Sequence, residues 1–163
     1  MGDAAENVHA TAIALGTHAA LIRGAPGSGK SDLALRCLAL APTALIASPV
    51  TLVADDRVDL VVDAGRLYAQ APATIRGKLE VRGLGIVTVP HVPRAEVKVV
   101  ADLSAPGAIE RLPEASASAE LAGVRVPLLR LAPLEARAPV TLPLALGQPL
   151  RAARATLVRE PTP

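Results

Sequence analysis

The chain has 163 residues, of which 51% are hydrophobic, and a formal net charge of +2. This length suits one domain with a sizeable core. The small, dispersed charge and the single aromatic residue, Tyr68, argue against a nucleic-acid-binding surface. The lone Cys37 excludes an internal disulfide and is typical of a reducing cytoplasm, and we expect it to be buried on a helix. We expect no secretory signal and no membrane span.

The first predicted elements form a hairpin. Residues 8–15 alternate in a way that predicts one strand, with His9 and Thr11 on the same side. The turn at residues 16–18 leads into an apolar run at residues 19–22, which we interpret as a buried strand.

A phosphate-binding loop follows this second strand. The pattern G-x-x-x-x-G-K-[ST] is matched in full by Gly24, Ala25, Pro26, Gly27, Ser28, Gly29, Lys30 and Ser31. In such a loop backbone N–H groups converge on phosphates, the lysine reaches the β and γ oxygens, and the serine holds Mg²⁺. Residues 32–40 are strong helix formers, so the helix N-terminus would face the anion. The alternative is a glycine-rich turn that only caps a helix.

Two adjacent acids close the next predicted strand, residues 50–54. Asp55 and Asp56 stand about where a nucleotide-binding protein places a carboxylate near Mg²⁺. One acid could serve the metal while the other accepts a proton from an attacking hydroxyl. The alternative is a solvated turn. Beyond it, residues 58–62 and 66–69 flank a turn and predict a second hairpin.

A glycine-rich segment, residues 79–87, follows as a candidate strand. Its alternation places Glu80 and Arg82 on one face, and Gly83 and Gly85 would permit close backbone approach to a ligand or partner. A charged, exposed strand with a glycine bend is equally consistent with these residues.

The signal weakens toward the C-terminus. Strands are predicted at residues 85–89 and 96–103, and residues 117–126 fit a short hairpin or a helix. Later prolines are expected to break the elements that contain them. We therefore predict a single α/β phosphate-loop domain over residues 1–163, with its core at about 7–135 and a proline-rich region at about 136–163.

Four segments together resemble the HPr kinase/phosphorylase family: His9-Ala10, the phosphate loop, residues 52–56, and residues 79–87, which are the most family-specific. That family phosphorylates a serine of HPr, the small phosphocarrier of the bacterial sugar phosphotransferase system. The resemblance covers roughly residues 7–112 and matches the short form, which has only the catalytic domain. It implies a mixed sheet with an opening hairpin, related to phosphoenolpyruvate carboxykinases, and HPr as the protein substrate in the cytoplasm.

The resemblance also implies ATP and Mg²⁺ as cofactors. The loop would bind the nucleotide phosphates, Lys30 would neutralise the transferring group, and Ser31 with Glu80 would hold Mg²⁺. Such a site is physically reasonable, because phosphoryl transfer depends on charge neutralisation and positioning more than on covalent chemistry.

Further catalytic roles follow from the same resemblance. Asp56, with Asp55 beside it, matches the acid that takes the proton from the substrate serine. His9 matches an active-site histidine before the phosphate loop, and Arg111 matches an arginine that assists transfer. Residues 79–88 correspond to the segment used for transfer in both directions.

One departure affects the reverse reaction. Gln148 stands where the family carries an arginine in a loop linked to dephosphorylation, and Gln offers no fixed positive fork to a phosphate. The sequence therefore predicts kinase activity and leaves phosphorylase activity and homo-oligomerisation open. Two alternatives remain: a small-molecule kinase or NTPase, and a non-catalytic regulatory module that binds a nucleotide.

Overall fold

A computed structural model describes residues 5–111 and 117–147. In these ranges the chain forms eleven strands and two α-helices, with short 3-10 turns at Ala73–Ile75 and Pro106–Ala108. The helices are α1 (Lys30–Leu38) and α2 (Ala138–Gly147). The strands are β1 (Glu6–His9), β2 (Thr11–Leu15), β3 (His18–Arg23), β4 (Val50–Ala54), β5 (Arg57–Asp63), β6 (Arg66–Gln70), β7 (Lys78–Val81), β8 (Gly85–Thr88), β9 (Arg94–Leu103), β10 (Ser118–Leu121) and β11 (Val124–Leu131).

Nine of these strands form one curled, mixed sheet. Its order is β1-β5-β6-β9-β3-β2-β4, with β11 beside β9 and β10 beside β11. The pairs β3–β9 and β9–β11 are parallel, and the other pairs are antiparallel. Strands β7 and β8 form a separate hairpin. The predicted mixed sheet is confirmed, and so is the opening hairpin, in which Leu15 pairs with His18 across the β2–β3 turn.

A break in a long two-stranded ribbon shapes the sheet. β1 pairs with β5 through His9↔Arg57, and β2 pairs with β4 through Ala12↔Ala54. The two ladders therefore continue one another, interrupted where residues 10–11 face residues 55–56. Such irregularities bend the strand that carries them. We call this interruption the ribbon corner.

The ribbon corner corrects the prediction of one strand over residues 8–15. Ala10 separates β1 from β2, and its N–H donates to the carbonyl of Asp56 at 3.2 Å. His9 therefore pairs with β5, whereas Thr11 belongs to β2, which lies between β3 and the edge strand β4. Alternation within one segment could not show this change, because it arises from the facing strand.

The phosphate loop and the acid pair reach the same edge of the sheet. β2 is antiparallel to both β3 and β4, so β3 and β4 run in the same direction. Their C-terminal ends, followed by Gly24 and by Asp55, lie together. Ligands of α/β sheets commonly bind at the carboxyl ends of strands. β9 and β11 end at this edge too.

Both α-helices pack on one face of the sheet. Leu33 and Cys37 of α1 join Leu142 and Leu146 of α2 in a buried cluster with sheet residues such as Ile13. Burial raises the pKa of the Cys37 thiol to about 12, so this residue acts as a small apolar side chain, as expected. Neither described helix is long and apolar enough to cross a membrane.

Most predicted elements are confirmed, including the hairpin of β5 and β6 and the hairpin around Gly123. Pro133 lies between β11 and α2, as the prediction for the prolines requires, but the prediction is wrong for Pro127, Pro139 and Pro143, which lie inside elements. Pro127 lies inside β11, at the point where pairing passes from β10 to β9, so its missing N–H interrupts neither ladder. Pro139 occupies the first turn of α2, where an N–H needs no helical partner.

Pro143 lies in the interior of α2, and tertiary packing there outweighs its unfavourable propensity. The buried residues of this helix include Pro139, Leu142, Pro143 and Leu146. The division into a core at about 7–135 and a C-terminal region at about 136–163 stays a prediction.

We expect Leu142→Ala to lower the free energy of unfolding by about 2–5 kcal/mol, because Leu142 is fully buried in the cluster under α2. Val140 in the same helix is 37% exposed, so Val140→Ala should cost less than about 1 kcal/mol. Urea unfolding followed by circular dichroism measures both changes. Equal costs for the two variants would show that α2 does not pack on the sheet as described.

Candidate phosphate-binding and catalytic site

The phosphate loop is a compact turn at the N-terminus of α1. Gly27 and Gly29 have positive φ angles of 78° and 102°, a conformation that glycine adopts readily and other residues do not. Gly29 is the N-cap of α1, so the first N–H groups of the helix are free to face an anion. The predicted strand, loop and helix arrangement is confirmed.

Gly24 is required because the loop leaves no room for a side chain at this position. A Cβ atom at this position would lie 2.4 Å from Ser28 Oγ and 3.3 Å from the Cβ of Leu103. The loop therefore closes directly onto the start of its own backbone. Ser28 N–H also donates to the carbonyl of Ala25 at 3.0 Å, which tightens the turn.

Lys30 folds back over the loop. Its side chain is only 7% exposed, and Nζ donates to the carbonyls of Gly24 at 2.9 Å and Ala25 at 3.1 Å. The ammonium group is thus fixed beside the exposed backbone of residues 25–27. A buried cation held only by carbonyl dipoles at the mouth of a loop is well suited to an anionic ligand.

Asp55 links the loop to the sheet through three hydrogen bonds. Its Oδ1 accepts from Ser31 Oγ at 2.7 Å and from Thr11 Oγ1 at 2.9 Å, and its Oδ2 accepts from the Glu80 N–H at 3.2 Å. The residue is 6% exposed. The solvated-turn alternative for Asp55 is therefore wrong.

Within the part of the chain that the structure describes, the buried polar or charged residues are Thr11, Lys30 and Asp55. All three lie in this cluster. Sequence reasoning placed Thr11 on a strand and assigned it no role. The available signal was a single hydroxyl in an otherwise apolar run of alanine and isoleucine, close to a phosphate loop.

Asp56 is directed differently from its neighbour. Its side chain is 67% exposed, and Oδ1 lies 3.2 Å from Nδ1 of His9, which is 36% exposed. Its φ of 67° is unusual for a residue other than glycine. This strained backbone is what turns two consecutive carboxylates in different directions. The structure thus brings together His9 and Asp56, to which the resemblance gave separate catalytic roles.

The glycine-rich segment is a hairpin rather than one strand. Arg82 lies in the turn between β7 and β8, so it does not share a strand face with Glu80. Gly83 and Gly85 have positive φ angles of 85° and 102°, and a Cβ atom at either would meet nothing within 4 Å. These glycines serve the turn conformation, and the prediction of close approach finds no support within the described residues. Glu80 is exposed, and its contact with Asp55 is made by its backbone N–H.

Arg111 makes no described hydrogen bond or ion pair with the residues of this cluster. It is exposed and lines a cavity of about 550 Å³ bordered by β11 and the start of α2, together with Glu110 and Arg137. No described contact joins it to Lys30 or Asp55. Gln148 lies outside the described residues.

Two arginines hold the surroundings of the loop. Arg23, just before Gly24, makes paired hydrogen bonds of 2.7 and 2.9 Å to Asp102. These bonds raise the pKa of Arg23 and join the ends of β3 and β9. Arg36 of α1 donates to the carbonyls of Pro133 and Glu135, which fixes the following segment against the helix.

The oxygen atoms of the cluster fit a magnesium ion. Ser31 offers a hydroxyl, and Glu80 carries a carboxylate on the residue whose backbone N–H is bonded to Asp55; hydroxyl and carboxylate oxygens are the hard ligands that Mg²⁺ prefers. Ser28 Oγ is buried and has no hydrogen-bond partner among the described residues, so the loop also retains an unused polar atom. These features fit a metal–phosphate ligand.

Comparison with known proteins assigns the family. The profile of the HPr Serine kinase C-terminal domain matches residues 3–142. The chain belongs to this family. The resemblance drawn from residues 7–112 is therefore confirmed.

Curated relatives within the family carry the name HPr kinase/phosphorylase. The protein of Clostridium tetani is 44% identical over 72 residues, which are 44% of this chain and 21% of the relative. The Streptococcus gordonii protein is 34% identical over 122 residues, covering 68% of this chain and 37% of the relative. The chain thus spans about a fifth to two fifths of the relatives it matches.

A solved structure supports the fold. The HPr(Ser) kinase/phosphatase from Coxiella burnetii superposes with a TM-score of 0.70 at 22% identity, over 93% of this chain and 98% of that chain. This agreement confirms the α/β class and extends the HPr kinase fold to nearly the whole of the present chain.

We expect Gly24→Ala to weaken binding of a fluorescent mant-ADP probe, because its Cβ would force Ser28 Oγ to move and would press on the Cβ atoms of Ser28 and Leu103 at 3.2 and 3.3 Å. Gly107→Ala is the matched control, since a Cβ there meets nothing within 4 Å. Fluorescence titration measures both variants. Full binding by Gly24→Ala would mean that the nucleotide does not occupy this loop.

Proposed function

We propose that this HPr kinase family member is an ATP- and Mg²⁺-dependent protein serine kinase whose substrate is the phosphocarrier HPr. The observation that carries the proposal is the cluster of Lys30, Ser31 and buried Asp55 at the phosphate loop, beside the exposed Asp56. The curated relatives support it through their name, HPr kinase/phosphorylase. The proposal places the protein in the cytoplasm.

The phosphate loop would bind the nucleotide. The N–H groups at the start of α1 point toward the anion, and Lys30 supplies a fixed positive charge against the β and γ oxygens. Since the ammonium is already held in place, its reorganisation during transfer is small.

Ser31 and Glu80 would hold Mg²⁺, which when bound would neutralise the charge that develops on the phosphates. Ser31 is rigid, because it lies in the first turn of α1 and is bonded to Asp55. Glu80 is brought there by β7, whose backbone is bonded to the same carboxylate.

We assign different roles to the two aspartates, on the basis of their different environments. Asp55 accepts three hydrogen bonds and is buried, so its oxygens are occupied by positioning. Asp56 is accessible to an incoming hydroxyl, and we assign it the role of base. The serine oxygen forms a bond to the γ-phosphorus, the bond from that phosphorus to the ADP oxygen breaks, and the serine proton passes to Asp56.

His9 would orient Asp56 through its 3.2 Å contact. Arg111 stays a proposed contributor that would have to reach the phosphates from the neighbouring cavity.

We propose the kinase direction as the principal activity. Phosphorylase activity, which the family name also includes, would depend on the region around Gln148.

Incubation with labelled ATP, Mg²⁺ and HPr from the same cell should label a serine of HPr, and substitution of that serine should abolish the label. We expect Lys30→Ala to reduce the rate by at least about 100-fold, because the fixed cation at the phosphates is lost. Lys98→Ala is the control, since Lys98 pairs with Glu96 on the surface. A Lys30→Ala variant with full activity would contradict the proposed phosphate site.

ATP turnover by the wild type without a protein acceptor would favour a small-molecule kinase or NTPase.

We expect Asp56→Asn to slow phosphoryl transfer by about 10²–10⁴-fold while leaving nucleotide affinity nearly unchanged, because the amide cannot accept the serine proton. Asp59→Asn is a matched control on β5, where Asp59 accepts a hydrogen bond from Asn7 at the surface. Single-turnover transfer and mant-ADP titration separate the two effects. If Asp56→Asn transfers phosphate at the wild-type rate, Asp56 is not the base.

A further inference from the structure

Thr11 is a polar residue at a buried position of the sheet, where an apolar side chain would pack equally well. It lies in β2, between β3 and β4, and the next three residues of the strand are apolar and fully buried. A valine of the same shape would suit such a strand better. A fully buried hydroxyl is unfavourable unless it is hydrogen-bonded. The bond that satisfies it runs to Asp55 Oδ1 at 2.9 Å.

The three donors around Asp55 fix the rotation of its carboxylate. Thr11 and Ser31 both donate to Oδ1, and the Glu80 N–H donates to Oδ2. The three donors come from β2, α1 and β7, which are separate elements. A carboxylate held from three sides has one favourable orientation, and of these three contacts the one from Thr11 comes from a strand of the large sheet.

The orientation of Asp55 in turn controls Ser31. Because the Ser31 hydroxyl donates its proton to Oδ1, the lone pairs of Ser31 Oγ point away from the carboxylate. Those lone pairs are what a cation would use. A change in the direction of Oδ1 would therefore change the direction of the lone pairs.

We propose that Thr11 is a positioning residue of the metal subsite, acting through Asp55 on Ser31. The inference rests on the proposed function only in requiring a magnesium–nucleotide ligand, and it does not depend on the identity of the phosphate acceptor. When a residue that orients a metal ligand through a hydrogen bond is removed, metal affinity commonly falls by about 10–100-fold.

The test is the coupling between Mg²⁺ and nucleotide in the whole chain without HPr. Kd for mant-ADP is measured by fluorescence with saturating Mg²⁺ and with EDTA, and the ratio of the two values gives the coupling. In the wild type Mg²⁺ should strengthen binding. We expect Thr11→Val to reduce that strengthening by about tenfold while Kd in EDTA changes by less than about twofold. Thr11→Ser, which keeps the hydroxyl, should retain most of the coupling.

The control is Ile13→Val, a fully buried position on the same strand, which should keep the wild-type ratio. Wild-type coupling in folded Thr11→Val would overturn the proposal. So would a loss in Thr11→Ser equal to that in Thr11→Val, because the methyl group would then be the important feature.

If Thr11→Val does not fold, Thr11→Ser and Thr11→Cys decide the question, since they have similar size and differ in donor strength. Weaker coupling in the cysteine variant supports the proposal, and equal coupling overturns it. A wild type that binds mant-ADP independently of Mg²⁺ also overturns it. A wild type with normal coupling that fails to label HPr would instead contradict the proposed kinase function and leave this inference standing.

Discussion

The carboxylate of Asp55 is the point at which the separate parts of this molecule meet. The phosphate loop, the buried strand β2 and the β7–β8 hairpin each donate one hydrogen bond to it. A charged group buried to this degree is unfavourable unless its acceptor sites are satisfied. Folding can therefore complete this region only when all three elements are in place. The same requirement fixes the distances among the groups that would handle a metal and a phosphate.

The ribbon corner is the feature of the sheet that brings Asp55 into contact with these three elements. Had β1–β2 and β4–β5 remained one regular ladder, Asp55 and Asp56 would simply have alternated between the two faces of a sheet. The interruption at Ala10, together with the positive φ of Asp56, places one acid in the interior and the other in solvent. Two chemically identical side chains thereby acquire different environments, one buried and hydrogen-bonded and the other exposed to solvent.

The parts of the fold that depend on local sequence were predictable. The phosphate loop, the helix after it and the tight hairpin around Gly65 are specified by residues close together in the chain, and the structure contains all of them. The break between β1 and β2 depends instead on the facing strand. Pro143 is tolerated because α2 packs on the sheet, which no local propensity reveals. In the site, Lys30, Ser31 and the acid pair follow from motif and spacing. The importance of Thr11 was hidden, because one hydroxyl in an apolar strand has no meaning until its partner 44 residues away is known.

The ribbon corner also determines where homologous sequences can gain or lose residues without disturbing the fold. Side chains alternate along each arm of the ribbon, so a single inserted or deleted residue between the corner and an arm's end would exchange interior and exterior faces. The turns at the far ends carry no such restriction, because residues added in pairs there leave the register near Asp55 untouched. Natural variation in length should therefore collect at the distal turns, and the stretch that joins His9 to Thr11 should keep its residue count.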